Sequence, residues 1–579
     1  MVPRWSSVLI FVVTVASWIA SGSCSLQIEA TDSVCLSFCG GFPSVNTQEG
    51  CLCGKTVENK VAHEAFLGIP YAKPPVGELR FANPEPASPY GIYNASYPRS
   101  VCIQKNTLIP KYNFIQGDED CLYLNVYRPQ NAAGPLPVIV YIHGGEFVGN
   151  IVPTTVGADY FMASGKVLFV TIQYRLGVFG FLSTGDDAIP GNFGLKDQVM
   201  ALKWVQNNIG SFGGNASQVT VFGHDAGAAS IQLHMMSPLS EGLFSQAILM
   251  GGSGLSNRVN KGIQDSLSLA QDLANTVGVR SKRPLTTKQL RRSLRQADAE
   301  DLAAAVDILK YWDTNPQMIF RPVIESSWDQ GSFITEDPEK LWAKGEYRRV
   351  PMMIGYSQNE GAAYTVKIMH NDALLEELIN NQKLFLPALT GYSTKNMSAI
   401  NKRFFEGDLM SISTSSGLIK LVSESLFLYP MIKSIKQHIA NDRLPEAPIQ
   451  MFQFGYQGRY SIAAEYAGEE LFEYYGVCNG DDLPYLFYNF TTEPEVDTPD
   501  ALVTQEFINN HIDFAVNGPT LPDIGTVAGP NLALSQQIYF KSFGNDAETE
   551  APVVSVLGRD NKQFTELEEI YKWWSTLEA

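Results

Sequence analysis

The sequence has no Ser-, Pro- or Gly-rich linker, no low-complexity tract and no internal repeat along its 579 residues. A chain of this length could hold three average domains, but nothing in the composition divides it. We therefore predict a single large domain over residues 25–579. Apolar side chains make up 45% of the residues, which is enough to build a sizeable core and excludes a disordered chain.

Positive charge is also scarce. The chain has 42 Lys and Arg residues against 60 Asp and Glu residues, which gives a net charge of -18. Nucleic acid and anionic lipid surfaces would be repelled by such a chain, so neither is expected as a partner.

Long apolar runs are missing, apart from a short one near the start of the chain. Arg4 precedes the run at 8–16, and small residues follow at 20–25. This order is typical of a signal peptide, predicted here over residues 1–24. The alternative, a membrane anchor, needs about 20 apolar residues. We expect a secreted, extracellular protein without membrane insertion, and four N-glycosylation sequons agree with that, at Asn94, Asn215, Asn396 and Asn489.

Cysteines are few, with eight in the chain, and Cys24 lies at the edge of the predicted signal peptide. Cys102 and Cys121 are predicted to form a loop-closing disulfide. Cys478 is then the odd thiol, and we interpret it as a small buried residue. In the Cys-rich segment 35–53, three pairings stay open, and a bond between the last two cysteines is disfavoured because one residue separates them. The four cysteines concerned are Cys35, Cys39, Cys51 and Cys53.

Short apolar runs alternate with helical patterns along the chain, which indicates an α/β protein with a mostly parallel sheet. Between two of the runs, Leu195, Val199, Leu202 and Val205 have the spacing of one helix face. Functional residues in such folds lie just after the strands. The predicted strands are 138–142, 167–173, 219–222, 247–250, 352–354 and 449–454.

Two glycine-containing segments follow predicted strands. The first reads His-Gly-Gly-Glu-Phe at 143–147, and its turn can expose backbone N-H groups to the oxyanion of an acyl-transfer intermediate. The second reads Gly-His-Asp-Ala-Gly at 223–227 and leads into a helix of small residues. Its glycines allow a sharp strand-to-helix turn that places the middle residue on an exposed elbow. In an esterase that middle residue is a serine.

Together with four further segments, these motifs resemble the type-B carboxylesterases, the family that includes the cholinesterases. The further segments are 66–72, 119–125, 191–198 and 208–214, and they follow the family's signatures in order and spacing. The resemblance extends from about residue 43 to near the C-terminus. It implies an α/β-hydrolase fold, with a large, mostly parallel central sheet covered by helices on both faces.

The resemblance also identifies the positions of the catalytic triad, and two of the three have changed. Asp225 stands at the position of the serine and Asn479 at that of the histidine, whereas Glu360 matches the family's glutamate. A serine that usually supports the triad corresponds to Gly251. His224 is not expected to act as a substitute base, because a neighbour on the elbow points away from the nucleophile.

The oxyanion hole implied by the resemblance remains in the sequence, formed by the backbone N-H groups of Gly145, Glu146 and Ala226. Ester hydrolysis in this fold needs a hydroxyl and an imidazole base. Because triad members act as a unit, losing two should cost a factor on the order of 10⁶ in rate. We therefore expect no intact catalytic residue and no enzymatic activity.

In place of catalysis, we predict a static polar network. The Asn479 amide would donate hydrogen bonds towards Asp225 and Glu360, one of which would have a raised pKa. A cation among these three side chains is not favoured, since their spacing does not match a metal site. No metal or other cofactor is expected.

Three functions are compatible with this sequence. The leading one is a non-catalytic secreted protein that binds another extracellular protein, as triad-deficient members of the family do. The second is a carrier of a small hydrophobic ligand in the former substrate gorge. The third is an esterase-like enzyme whose altered chemistry uses the Asp225 carboxylate.

A homodimer is a further possibility, because family members often pair through the C-terminal helix. The apolar residues of that helix have helical spacing, but packing onto the chain's own core would explain them equally well. They are Phe564, Leu567, Ile570 and Trp574.

Overall fold

The structure is a computed structural model in which most of the chain after residue 31 is described. The predicted signal peptide at 1–24 lies outside the described residues. The described ranges are 32–105, 109–110, 113–130, 132, 134–149, 157–260, 265–310, 312–313, 315, 318–326, 331–407, 409–441, 447–459, 461–467, 475–488, 498–519, 539–545, 552–556 and 562–578.

The strands of the described ranges lie in one large sheet and two small ones. In chain order they are β1 Ser44–Thr47, β2 Gly50–Cys53, β3 Lys55–Val57, β4 His63–Pro70, β5 Gly91–Asn94, β6 Gln104–Lys105, β7 Ile115–Gln116, β8 Tyr123–Pro129, β9 Leu136–Ile142, β10 Leu168–Ile172, β11 Gly214–His224, β12 Gln246–Met250, β13 Met352–Ser357, β14 Ile449–Phe454, β15 Tyr539–Asn545 and β16 Pro552–Val556.

The helices connect these strands and cover the large sheet on both sides. They are α1 Asp32–Phe38, α2 Asp159–Ala163, α3 Gly177–Phe181, α4 Phe193–Asn208, α5 Ala226–Met236, α6 Asn257–Asn260, α7 Ser266–Thr276, α8 Thr287–Gln296, α9 Ala299–Ile308, α10 Pro338–Lys344, α11 Ala362–Met369, α12 Asp372–Asn380, α13 Gln382–Thr390, α14 Met397–Phe404, α15 Gly417–Val422, α16 Tyr429–Asn441, α17 Ala463–Ala467, α18 Pro499–Asn517 and α19 Lys562–Glu578. A π-helical segment, Ser423–Leu428, joins α15 to α16.

The large sheet has eleven strands in the described part, in the order β16-β15-β14-β13-β12-β11-β9-β10-β8-β4-β3. The block from β15 to β10 is parallel, and the strands at both edges are antiparallel. The α/β-hydrolase fold predicted from the sequence is confirmed. Because β9, β11 and β13 are parallel, their carboxyl ends meet at one edge of the sheet, and the segments that follow them lie close together.

The buried central strands are those that the apolar runs predicted. All five side chains of β10 are buried, as are those of β13, because helices cover both faces of the sheet. The predicted helix between strands is α4, whose Leu195, Leu202 and Val205 are fully buried. The antiparallel strands β4 and β8 were not predicted, although they pair with each other across Phe66 and Val126.

The described residues form three disulfides, and two of these settle the pairing left open in the Cys-rich segment. Cys35 bonds to Cys51, and Cys39 bonds to Cys53. The predicted bond between Cys102 and Cys121 is also formed. Cys478 is a buried free thiol, in agreement with its interpretation from the sequence.

The apolar stripe of the C-terminal helix α19 packs onto the chain's own core. Its four members are at most 4% exposed, and the Trp574 indole donates a hydrogen bond of 2.8 Å to Glu424 Oε2. This stripe is therefore not available as a dimer surface, and a homodimer through α19 would have to use other residues of the helix. The stripe residues are Phe564, Leu567, Ile570 and Trp574.

Among the described residues, no helix has the length and apolar character needed to cross a membrane.

Candidate active site

Asp225 occupies the sharp turn between β11 and α5, with φ 51° and ψ -115°. Such a backbone conformation is strained for a residue with a side chain, and it persists because the surroundings enforce it. Close packing requires the glycines on both sides. A Cβ on Gly227 would lie 2.0 Å from the Ile142 carbonyl oxygen, and one on Gly223 would lie 2.3 Å from the Gly227 carbonyl carbon. The elbow predicted at 223–227 is present.

The glycine-rich turn after β9 holds the Asp225 carboxylate. The backbone N-H groups of Gly145 and Glu146 donate hydrogen bonds to Asp225 Oδ2, at 2.9 and 2.8 Å. The turn has φ 106° at Gly145 and 58° at Glu146, which aims both N-H groups at the elbow. Ala226, the third predicted donor, begins α5, whose N-terminal dipole also favours the negative charge. Two donors of the oxyanion hole are thus occupied by the side chain that replaces the serine.

The other carboxylate oxygen, Oδ1, faces a second group of polar side chains. The Tyr364 hydroxyl donates to it at 3.4 Å and makes a shorter hydrogen bond to Glu146 Oε1. Arg258 donates to Glu146 Oε2 at 2.5 Å. Burial raises the pKa of the Glu146 carboxyl to about 8, an effect that the Arg258 charge opposes and the Asp225 charge reinforces.

Asn479 lies beside Glu360 at the carboxyl end of β13. Its Nδ2 donates to Glu360 Oε2 at 2.6 Å and to the Gly251 carbonyl oxygen at 3.0 Å. The backbone N-H of Ser357 donates to the other Glu360 oxygen at 2.6 Å. Burial raises the pKa of Glu360 to about 8. Of the two carboxylates expected as partners of this amide, the hydrogen bonds of the described residues join it to Glu360 and not to Asp225.

Solvent reaches the members of this site unequally. Asp225 is 6% exposed, whereas Glu146 is 0% and Glu360 and Asn479 are each 1% exposed. All four residues are buried, and Asp225 is the least buried of them.

Several known proteins of similar sequence or structure are named esterases. The model of the carboxylesterase family matches residues 42–563. The chain belongs to the carboxylesterase family. Juvenile hormone esterase of Tribolium castaneum is 36% identical over 82% of this chain and 84% of that protein. Venom carboxylesterase-6 of Apis mellifera is 33% identical over 85% of this chain and 88% of that protein.

Among solved structures, the crystal structure of juvenile hormone esterase from Manduca sexta, with OTFP covalently attached, superposes with a TM-score of 0.77. It is 26% identical, and the match covers 92% of this chain and 99% of that one.

The prediction that this carboxylesterase-family chain is not an enzyme is wrong, because relatives of 33 and 36% identity over most of its length are named esterases. The prediction rested on the replaced serine and histidine alone and gave no weight to the side chains that surround Asp225. Nothing in these comparisons supports the protein-binding function derived from it.

Two residues of the site, Tyr364 and Arg258, were not identified from the sequence. The sequence could have indicated Tyr364, because it lies only four residues after Glu360, in the first turn of α11. Nothing in the sequence indicated Arg258. It reaches Glu146 from the short helix α6, and only the tertiary structure brings these two residues together. Both side chains contact Glu146, whose backbone N-H donates to Asp225.

His224, the neighbour of Asp225, points to Asp482 instead, with Nε2 3.5 Å from Asp482 Oδ1. Burial lowers the pKa of His224 to about 4 and raises that of Asp482 to about 7. Because burial lowers the pKa of His224 to about 4, its imidazole is uncharged near neutral pH, and the contact with Asp482 is not an ion pair.

Metal-ligand spacing occurs in the described residues at Cys35, Cys39 and Cys51, but their sulfurs are in disulfides and cannot act as thiolate ligands.

Of the predicted glycosylation sites, Asn94 is exposed and Asn215 is half-buried. Asn396 is half-buried, and its Nδ2 donates to the Leu577 carbonyl oxygen at 3.0 Å. Asn489 lies outside the described residues.

Proposed function

We propose that this chain is a carboxylic ester hydrolase in which the Asp225 carboxylate replaces the serine hydroxyl as nucleophile. One observation carries the proposal. Asp225 Oδ2 is held by the N-H groups of Gly145 and Glu146, which leaves Oδ1 as the attacking atom. A carboxylate needs no base to remove a proton before it attacks, so the loss of the histidine does not prevent the first step.

The first step is displacement at the alkyl carbon of the ester. Asp225 Oδ1 forms a bond to this carbon, and the bond between the carbon and the ester oxygen breaks, with its electron pair leaving on the product carboxylate. No proton is transferred in this step. Attack at the carbonyl carbon is disfavoured, because two oxyanion-hole donors already bind Asp225 and the product would be a mixed anhydride. An unhindered primary alkyl group suits such a displacement.

The second step is hydrolysis of the aspartyl ester by water. Water adds to Asp225 Cγ, and the oxyanion that forms on Oδ2 is stabilised by the hydrogen bonds from Gly145 and Glu146. The ionised Glu146 carboxylate takes the proton of the water, with Tyr364 bridging it to the Asp225 side chain. Collapse of the intermediate breaks the bond from Cγ to the alcohol oxygen. The alcohol leaves with one proton, the Asp225 carboxylate is restored, and Glu146 returns its proton to solvent.

A single turnover in water labelled with 18O tests this mechanism. Primary alkyl esters, with juvenile hormone included because relatives are named for it, serve as substrates. We expect the label in Asp225 and neither product to be labelled, because the acid keeps both of its oxygens and the alcohol takes one from Asp225. Label in the acid would show cleavage at the acyl carbon and would overturn the mechanism.

The control is Asp225→Asn, which keeps the shape of the side chain and removes its charge. We expect its turnover to fall by at least about 10³-fold, as for the loss of other covalent nucleophiles. Turnover equal to that of the wild type, or none by the wild type across the ester panel, would contradict the proposal.

An extracellular location is part of the proposal. It is supported by the three disulfides, which persist in oxidising compartments, and by the signal-peptide pattern at 1–24. Mass spectrometry of the secreted chain would detect the expected start near residue 25.

A further inference from the structure

The described surface carries a concentration of positive charge that the proposed hydrolase chemistry does not use. Seven of the 42 Lys and Arg residues lie within 280–295, and no Asp or Glu interrupts them. This basic segment belongs to a chain with a net charge of -18, so it stands out against an acidic background. Its cations are Arg280, Lys282, Arg283, Lys288, Arg291, Arg292 and Arg295.

The second half of the basic segment is helix α8, which presents its cations on one face. Leu290 and Leu294 are buried and fix the opposite face against the core. Because residues three and four apart lie on the same side of a helix, the four cations of α8 share the outer side. Thr286 and Gln289 form a capping box that fixes the start of the helix. The charges are therefore mounted on a rigid element.

The cations of α8 line a groove with a volume of about 800 Å³. Its acidic side chains are Glu78, Asp186 and Asp187. Glu78 is paired with Arg295 at 2.6 Å, and Asp186 accepts hydrogen bonds from Thr184 and Ala188. Asp187 contacts the Ser326 hydroxyl at 3.5 Å. These acids thus have partners within the chain.

The cations of α8 have fewer ion-pair and hydrogen-bond partners than these acids. In the described part of the chain, no acidic side chain forms an ion pair with Lys288, Arg291 or Arg292, and two of these side chains are exposed. The Nε atom of Arg291 and the Nη2 atom of Arg295 are buried and have no hydrogen-bond partner there. Unsatisfied guanidinium donors are costly unless an anion accepts from them.

We propose that the groove along α8 binds a sulfated polysaccharide. The occupant must be a linear polyanion, because cations line the groove along α8 from Lys288 to Arg295, and in the described part of the chain only Arg295 has an acidic partner. Guanidinium groups bind the oxygens of sulfate in a bidentate way, and the groove is too large for a single small anion. Among polyanions, a sulfated glycan fits the extracellular location proposed above.

The experiment measures binding of heparin to the full-length secreted protein by calorimetry. We expect wild-type affinity to fall about tenfold or more between low and physiological salt, because bound counterions are released. The triple variant Lys288→Gln, Arg291→Gln and Arg292→Gln should bind at least about tenfold more weakly at low salt. No measurable heparin binding by the wild type at low salt would overturn the proposal.

The matched control removes three exposed cations elsewhere, by Lys340→Gln, Lys383→Gln and Lys395→Gln. It has the same net charge as the triple variant, and we expect its affinity to stay within about twofold of the wild type. Equal losses in both variants would show that diffuse charge, and not this groove, binds the polymer. Single-stranded DNA of equal length is the second probe, and binding as tight as that of heparin would overturn the assignment to a sulfated glycan. Ester hydrolysis should be unchanged in both variants, which reports that they fold.

Discussion

Asn479 Nδ2 lies 2.6 Å from Glu360 Oε2, so the amide that replaces the histidine donates to the acid that would have oriented it. The same amide donates to the Gly251 carbonyl oxygen at 3.0 Å. Its donors are directed at these two acceptors, which leaves the Asp225 carboxylate to the oxyanion turn and Tyr364. The predicted network of three side chains is thus divided into two parts, and one part contains the proposed nucleophile.

The first prediction concerns stability and pH. Glu360 has a pKa of about 8 in the folded chain, against an ordinary value of 4.5. At a pH below 4.5, Glu360 is protonated in both the folded and the unfolded state, and its contribution to the free energy of unfolding is fully present. Between the two values only the unfolded state releases the proton, so the free energy of unfolding falls by about 1.4 kcal/mol per pH unit.

Glu360→Gln removes this titration. We expect the decline in the free energy of unfolding between pH 5 and 8 to be shallower in the variant, measured by chemical denaturation at several pH values. Parallel curves for the variant and the wild type would contradict the assignment to Glu360.

The second prediction concerns Gly251, which has φ 57° and whose added Cβ would lie 2.5 Å from Asn479 Nδ2. Gly251→Ala should therefore cost more than the roughly 1–2 kcal/mol expected for a positive φ alone. Gly278→Ala is the matched control, since Gly278 has φ 80° and free space around its Cβ position.

A double-mutant cycle with Asn479→Ala isolates the contact between the two residues. We expect a coupling of about 0.5–3 kcal/mol, because the alanine at 479 makes room for the new methyl group. Additive costs in thermal or chemical unfolding would show that the two positions do not restrict each other.

The third prediction is a change of nucleophile. Asp225→Ser together with Asn479→His supplies a hydroxyl and an imidazole next to Glu360, in a site that keeps the N-H groups of Gly145 and Glu146. We expect labelling by a serine-directed fluorophosphonate, and acyl-ester hydrolysis at least about 10²-fold above either single variant, because the triad acts as a unit. If the double variant is no faster than Asp225→Ser alone, the imidazole does not reach the serine.

The fourth prediction concerns Glu146, the proposed base for the second step. Its pKa of about 8 means that the carboxylate form increases as the pH rises through that value, so turnover should rise and then level off. Glu146→Gln should complete the first step and stall, so that the mass of the Asp225 peptide increases by the alkyl group of the ester. Glu376→Gln, at an exposed site in α12, is the control and should keep the wild-type profile. A variant that turns over normally and accumulates no alkylated Asp225 would exclude Glu146 as the base.

The strands of the central sheet were predictable because both of their faces are buried, which leaves short apolar runs such as 138–142 and 352–354 in the sequence. The elbow at 223–227 was predictable for a different reason. Its glycines are required by contacts of 2.0–2.3 Å that no side chain could occupy. The antiparallel strands β4 and β8 were missed, since their positions depend on pairing with partners distant in the chain.

The sequence by itself determined the family, the sheet and the identity of the residues at the altered triad, because local patterns and motif spacing encode them. Only the tertiary structure decided which atoms these residues contact. The donors to Asp225 come from the turn after β9, and Arg258 reaches Glu146 from a segment 112 residues away. Only the tertiary structure likewise decided how the cysteines pair and that the apolar stripe of α19 faces the core. Such contacts depend on how distant segments pack, and a single sequence does not record that packing.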